Sequence, residues 1–138
     1  RIGDYFGDSA RTYFLRGGHL VPAAEAGPEE ADAMNFEKYL HDVFVKTARP
    51  DMTFGDIHDQ MTKLVQAGGY ENLDLLDAYG HSIATSTSDF IIMEKGNRHL
   101  LGSVGYFTFE PHIAKPGSPL AVKYEEIYYF DHDTVKMV

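Results

Sequence analysis

The chain contains no cysteine among its 138 residues. That absence rules out a disulfide scaffold, a thiolate zinc site and a cysteine nucleophile, and it fits a reducing, cytoplasmic setting. Basic residues are scarce as well: 12 Lys and Arg stand against 21 Asp and Glu, a formal net charge of −9 at pH 7. Such a balance argues against nucleic acid or an anionic membrane as partner, since both need a basic footprint. No apolar run approaches the roughly 20 residues that span a bilayer. The opening Arg1-Ile2-Gly3-Asp4 has neither an initiator Met nor a signal-peptide pattern, so the sequence reads as a piece of a longer product. Internal repeats, low-complexity stretches and linkers are also missing.

What is present is globular. With 43% hydrophobic and 13% aromatic residues there is enough to build a core, and the length suits one domain or part of one. Residues 2 to 15 read as a strand, with Ile2, Tyr5, Phe6, Tyr13, Phe14 and Leu15 around a polar middle, ended by Gly17-Gly18. A loop is expected over 19 to 27. Pro28-Glu29-Glu30 is a helix start, and Met34, Leu40, Phe44 and Ala48 continue it at helical spacing until Pro50 stops it. Thr53 can cap a second helix, with Asp56 as the capping-box acid, Ile57, Met61, Leu64 and Val65 as the apolar stripe and Gly68-Gly69 as the close. Beyond Tyr79-Gly80 strands are predicted near 81 to 85, 90 to 94, 104 to 111 and 121 to 130, with turns at Gly96-Asn97 and Pro116-Gly117. This order predicts an α+β fold.

Polar residues inside otherwise apolar strands are the chemical signal. Asp4 and Asp8 fall on one face of the first strand, and Thr108, Glu110 and His112 share a face opposite Phe107 and Phe109. Of the adjacent Glu125 and Glu126, one must point toward whatever that sheet covers. Carboxylates in mid-strand are costly to bury unless paired or bound to a cation. Three such strands with His81 could supply a hard-oxygen site with one imidazole, suited to Mn, Fe, Co or Zn. A solvated strand end accounts for most acids of this kind, and a turn for most His residues after Gly. The residues alone leave both readings open.

Four segments, in order, resemble the pita-bread metallopeptidases: methionine aminopeptidase, aminopeptidase P, prolidase and creatinase. Tyr5-Phe6-Gly7-Asp8-Ser9-Ala10-Arg11-Thr12 matches the family's Tyr-x-x-Asp-x-x-Arg-Thr at every fixed position. Gly80-His81-Ser82-Ile83 is similar to its His motif, with Ala84 for the second Gly. Phe107-Thr108-Phe109-Glu110-Pro111 matches its Glu-Pro segment, and Lys123-Tyr124-Glu125-Glu126 is similar to its last motif, (Arg)-x-Glu-(Asp). The helix junction Arg49-Pro50-Asp51-Met52-Thr53 is similar to the family's Pro-Gly-x-Thr.

The resemblance implies a partial pita-bread fold of one strand, two helices and an antiparallel-rich sheet. Residues 1 to 138 would form the C-terminal part of a single catalytic domain whose first half is largely missing. It implies two divalent ions (Mn, Co, Zn or Fe) bridged by Asp8 and Glu125, with His81 and Glu110 as terminal ligands. Glu110 would also shuttle the proton. The family's other terminal Asp would fall before Arg1, leaving one metal site incomplete in this chain. Where the family carries a second His, this chain reads Ser88-Asp89-Phe90-Ile91, and His112 is the candidate to replace that lost donor. The implied function is hydrolysis at a peptide N-terminus or of a dipeptide, as in Xaa-Pro aminopeptidases and prolidases. The alternatives are a non-catalytic pita-bread module that binds peptide or protein partners, and a metal-independent creatinase-like amidinohydrolase. Association as a homodimer, or with the missing N-terminal part, is expected.

Overall fold

A computed structural model of the chain describes Asp4, Tyr5 and residues 7–138. Gly17 and Gly18 take φ of 58° and 82°, the left-handed pair that a two-residue hairpin turn needs. They fold Phe14–Arg16 (β1) back on His19–Val21 (β2). The expected strand over 2 to 15 is corrected by this arrangement. Residues 7–10 have no regular structure, Arg11 makes an isolated antiparallel bridge to Tyr124, and β1 starts only at Phe14. Gly7, Asp8 and Ser9 are poor β formers and interrupt the run. Ile2 and Phe6 lie outside the described residues. The loop expected over 19 to 27 instead holds β2 and a short helix, Ala23–Ala26 (α1).

The two long helices follow their signals. Pro28–Thr47 (α2) has Pro at its first turn with Glu29 and Glu30, and Lys46 in its last turn, so both ends suit the macrodipole. Phe54–Ala67 (α3) carries a complete capping box: Asp56 N–H donates to Thr53 Oγ1 at 3.0 Å, and Thr53 N–H donates to Asp56 Oδ2 at 2.8 Å. Leu40 and Phe44 of α2, with Phe54, Ile57 and Met61 of α3, are fully buried against the strands. Each is worth roughly 1.5–3 kcal/mol of apolar burial. No helix among the described residues is long and apolar enough to cross a membrane.

The second half is an antiparallel ribbon that passes between two small sheets. Glu71–Asn72 (β3), His112–Ala114 (β5) and Ala121–Lys123 (β6) form one sheet in the order β3-β5-β6. Phe107–Phe109 (β4), Glu126–Asp131 (β7) and Thr134–Met137 (β8) form the other in the order β4-β7-β8. The strands expected near 81 to 85 and 90 to 94 reduce to isolated bridges, His81 with Ile92 and Ser82 with Phe107. Phe109 stacks on Phe44 of α2 with centroids 4.4 Å apart. Phe107 and Phe109 therefore face the helices, while alternation turns Thr108 and Glu110 to the opposite face.

Candidate metal centre

The site sits where the ribbon breaks. Phe109 pairs with Glu126 before the break and His112 with Lys123 after it. Both stretches keep one register, which sets Glu110 opposite Glu125 and Pro111 opposite Tyr124. Two carboxylates directly across a ladder repel. The adjacent acids separate as strand alternation requires. Glu126 accepts from Arg11 at 2.5 Å and from the Tyr124 hydroxyl at 2.8 Å. Glu125, 2% exposed, takes the other side, where Asp8 and His81 stand.

Donor atoms of Asp8, His81 and Glu125 all lie within 4.8 Å of one another. Three hydrogen bonds between residues 79–81 and the ribbon hold His81 in place. Its N–H donates to Thr108 Oγ1 at 2.9 Å, its carbonyl accepts from Thr108 N–H at 2.7 Å, and Glu110 N–H donates to Tyr79 O at 2.9 Å. Gly80 makes this approach possible: its φ is +153°, and a Cβ there would run into the Thr108 carbonyl. The His81 ring stacks on Phe90 at 4.2 Å. His81 Nδ1 lies 2.9 Å from the Ser82 carbonyl, which can only accept. Nδ1 therefore carries the proton, and Nε2 is presented to Glu110 at 3.4 Å and Asp8 at 3.9 Å. That tautomer, fixed by a bond on the far nitrogen, is the one a metal-ligating His needs.

The electrostatics ask for a cation. Burial, then the charges of Glu110 and Asp8, raise the Glu125 carboxyl to about 7, against the smaller lowering effect of Lys123. Its Oε1 is buried with no hydrogen-bond partner. The ammonium at the site is held by Glu110: Lys123 Nζ sits 2.5 Å from Glu110 Oε2. Burial alone would lower the Lys123 pKa, but the Glu110 hydrogen bond and the charges of Glu110, Glu125 and Asp74 raise it instead. A hard divalent cation among Asp8, His81 and Glu125 would satisfy the orphaned oxygen and relieve the repulsion. The residues present fit such an ion.

The other expected site residues are placed as follows. Glu110 lies outside the closest triad, with Oε1 accepting from the Thr108 hydroxyl at 3.1 Å. His112 lies beyond the break on β5, near Lys123 and Asp74, and burial followed by Lys123 lowers its pKa. Ser88 belongs to a 3-10 turn, Thr87–Asp89, where it bonds Ser86 and Asp89. Sequence reasoning set Thr108 on the face of Glu110 without giving it a role, and passed over Lys123 as a chemical participant. Lys123 stands two positions before Glu125 and so projects to the same face, a spacing that could have signalled it. Beside the site, Tyr5, Gly7, Ile83, Tyr106, Ile127 and Val138 line an apolar cavity of about 270 Å³.

The sequence profile of metallopeptidase family M24 matches residues 1–132, and the chain belongs to this family. Its fold is that of solved pita-bread members. The X-Pro aminopeptidase of Thermotoga maritima aligns with a TM-score of 0.73 and 17% identity, over 97% of this chain and 35% of that one. The prolidase of Pyrococcus furiosus gives 0.76 and 15%, over 98% and 37%. A methionine aminopeptidase from Rickettsia prowazekii gives 0.68 and 17%, over 99% and 59%. The chain thus spans about a third of the first two and little over half of the third. Among curated proteins no match is found.

Proposed function

We propose that this protein is a metal-dependent hydrolase of the Xaa-Pro aminopeptidase or prolidase type, acting on a peptide N-terminus or a dipeptide. The observation that carries the reading is the facing pair Glu110 and Glu125 at the ribbon break, with Asp8 and His81 closing a hard-ligand cluster on Glu125. Asp8, His81, Glu110 and Glu125 would hold the ions. Bound divalent ions (Mn, Co, Zn or Fe) would supply the acidification of a water and the polarisation of a scissile carbonyl.

The chain's own residues then move protons and orient the substrate. Glu110 is the proton shuttle. It faces the cluster from 3.4 Å and is held between Lys123 and the Thr108 hydroxyl, so it can take a proton from the attacking water and return it to the leaving amine. His112, whose pKa burial and then Lys123 lower, would donate to the oxyanion that the lost second His no longer stabilises. If His112→Ala leaves kcat unchanged, that role is wrong. The apolar cavity next to Gly7 would take a hydrophobic substrate side chain. Residues 1–138 would be the C-terminal part of a single catalytic domain, completed by a preceding half or a second copy.

The test is metal content by mass spectrometry on the natural full-length protein, wild type beside Asp8→Ala, with hydrolysis of Ala-Pro and Met-led peptides. About two ions per chain, mostly lost in the variant, with Ala-Pro cleavage support the reading. Cleavage of Met-led peptides alone moves it to the methionine aminopeptidase type. The second reading is a non-catalytic peptide-binding module, favoured by the Lys123–Glu110 pair that neutralises a ligand carboxylate without metal. No metal after incubation with Mn and Co, and no cleavage, would select it.

A further inference from the structure

The ribbon break leaves one backbone carbonyl without its ladder donor. Glu125 N–H donates to Ala10 O at 3.0 Å, and the Glu125 carbonyl accepts from Arg11, so this residue's backbone groups point toward residues 10–11. The backbone groups of Tyr124 consequently point the other way, toward Pro111, its partner in the register. Proline has no N–H to give. The Tyr124 carbonyl is met instead by a side chain from α2: His41 Nε2 lies 3.1 Å from it. A carbonyl only accepts, so Nε2 carries the proton. His41 Nδ1 must then accept, and the Tyr128 hydroxyl donates to it at 2.8 Å. The ring is 6% exposed and packs edge-on against Phe109 at 4.9 Å and Tyr124 at 5.1 Å. It therefore touches the neighbours of both facing carboxylates, Glu110 and Glu125.

We propose that His41 is a positioning residue for the metal centre: a neutral imidazole that supplies the hydrogen bond Pro111 cannot, fixing the Tyr124 peptide and hence the direction of the Glu125 carboxylate. The inference rests on the metal-site reading given above. Burial, which holds the His41 pKa down to about 4, keeps the ring in the required neutral form at neutral pH.

The test is binding of Mn(II) and Co(II) to the full-length protein by calorimetry, with the visible spectrum of bound Co(II) as a report on ligand geometry. His41→Leu fills the space but cannot donate. It should weaken metal binding about ten-fold or more and alter the Co(II) spectrum. His41→Gln, whose amide can donate to Tyr124 and accept from Tyr128, should restore affinity to within about three-fold of wild type. Equal binding by wild type and His41→Leu overturns the inference while leaving the metal site intact. So does a loss in His41→Gln as large as in His41→Leu. If His41→Leu does not fold, Tyr128→Phe serves: it removes only the bond that orients the ring, and unchanged affinity and spectrum there also overturn the inference. Failure of the wild type to bind either ion overturns the metal-site reading, and this inference with it.

Discussion

Three buried titratable side chains set how the protein answers to pH, and they pull in different directions. Glu125 has its pKa raised from 4.5 to about 7, so between those values the native state holds a proton that the unfolded chain has released. Its contribution to stability is therefore greatest below about pH 4.5 and is lost as pH rises through 7. In chelator, chemical denaturation should show the protein weaker at pH 8 than at pH 5, and Glu125→Gln should shrink that difference by roughly 1–2 kcal/mol, allowing for screening at the open side of the site. His41 runs the other way. Its pKa falls from 6.5 to about 4, so its contribution is full above 6.5 and is lost as pH drops toward 4. His41→Gln should flatten the acid limb of the stability profile. Glu37, also on α2, is fully buried with both carboxylate oxygens unpartnered, and burial raises its pKa well above the ordinary range. Glu37→Met keeps the volume and removes the orphaned charge. It should raise stability by about 1–3 kcal/mol, more at pH 8 than at pH 5, read as a higher Tm. Of these three residues only Glu125 stood out in the sequence. Glu37 and His41 fall on the stripe that Met34, Leu40, Phe44 and Ala48 mark, so their spacing places them on the buried face, but what each meets there depends on which strands α2 covers.

At the scale of elements, the helices were legible because their signals are local. Pro28, the acids beside it, Thr53 with Asp56, and Pro50 act within one turn of where they stand. Thr53→Ala should cost about 1 kcal/mol in thermal or chemical unfolding and leave metal binding unchanged, since the cap's hydrogen bonds join only Thr53 and Asp56. The strands were less legible. Residues 104 to 111 and 121 to 130 each look like one strand, yet each divides at the site, after Phe109 and before Glu126. Pro111 was the local hint, and the Glu110–Glu125 opposition is the reason that only the fold reveals. Gly80 is the other element-level dependence. Gly80→Ala must push His81 away from the Thr108 carbonyl, and it should destabilise the protein by about 2 kcal/mol or more while weakening metal binding. Calorimetry beside a melting curve measures both.

For the molecule as a whole, the cluster of acids is a store of repulsion that a cation would release. A divalent ion that binds the native state and not the unfolded chain stabilises it by mass action, about 2.7 kcal/mol at one hundred times its Kd. Mn(II) or Co(II) should therefore raise the Tm of the wild type by several degrees, a chelator should reverse the rise, and Asp8→Ala should respond to neither. A wild-type Tm that ignores both ions would count against the proposed centre. Exposed apolar residues on and just before the β1–β2 hairpin, Tyr13, Leu15 and Leu20 among them, fit the proposed completion of the domain by a preceding half or a second copy. Light scattering of the purified protein tests the self-association arm.

By itself the sequence determined the α+β class, the two long helices and, through the order of its motifs, the family. These follow from chemistry that acts over a few residues or from patterns that survive in linear order. The tertiary structure decided what depends on distant segments meeting. It set Glu110 against Glu125 across the ribbon, turned His81 Nε2 toward Asp8, and gave Lys123 to Glu110. It also carried His41 from a helix to the carbonyl that Pro111 leaves unserved, because a missing hydrogen bond in a ladder can be filled only by whatever the fold packs against it.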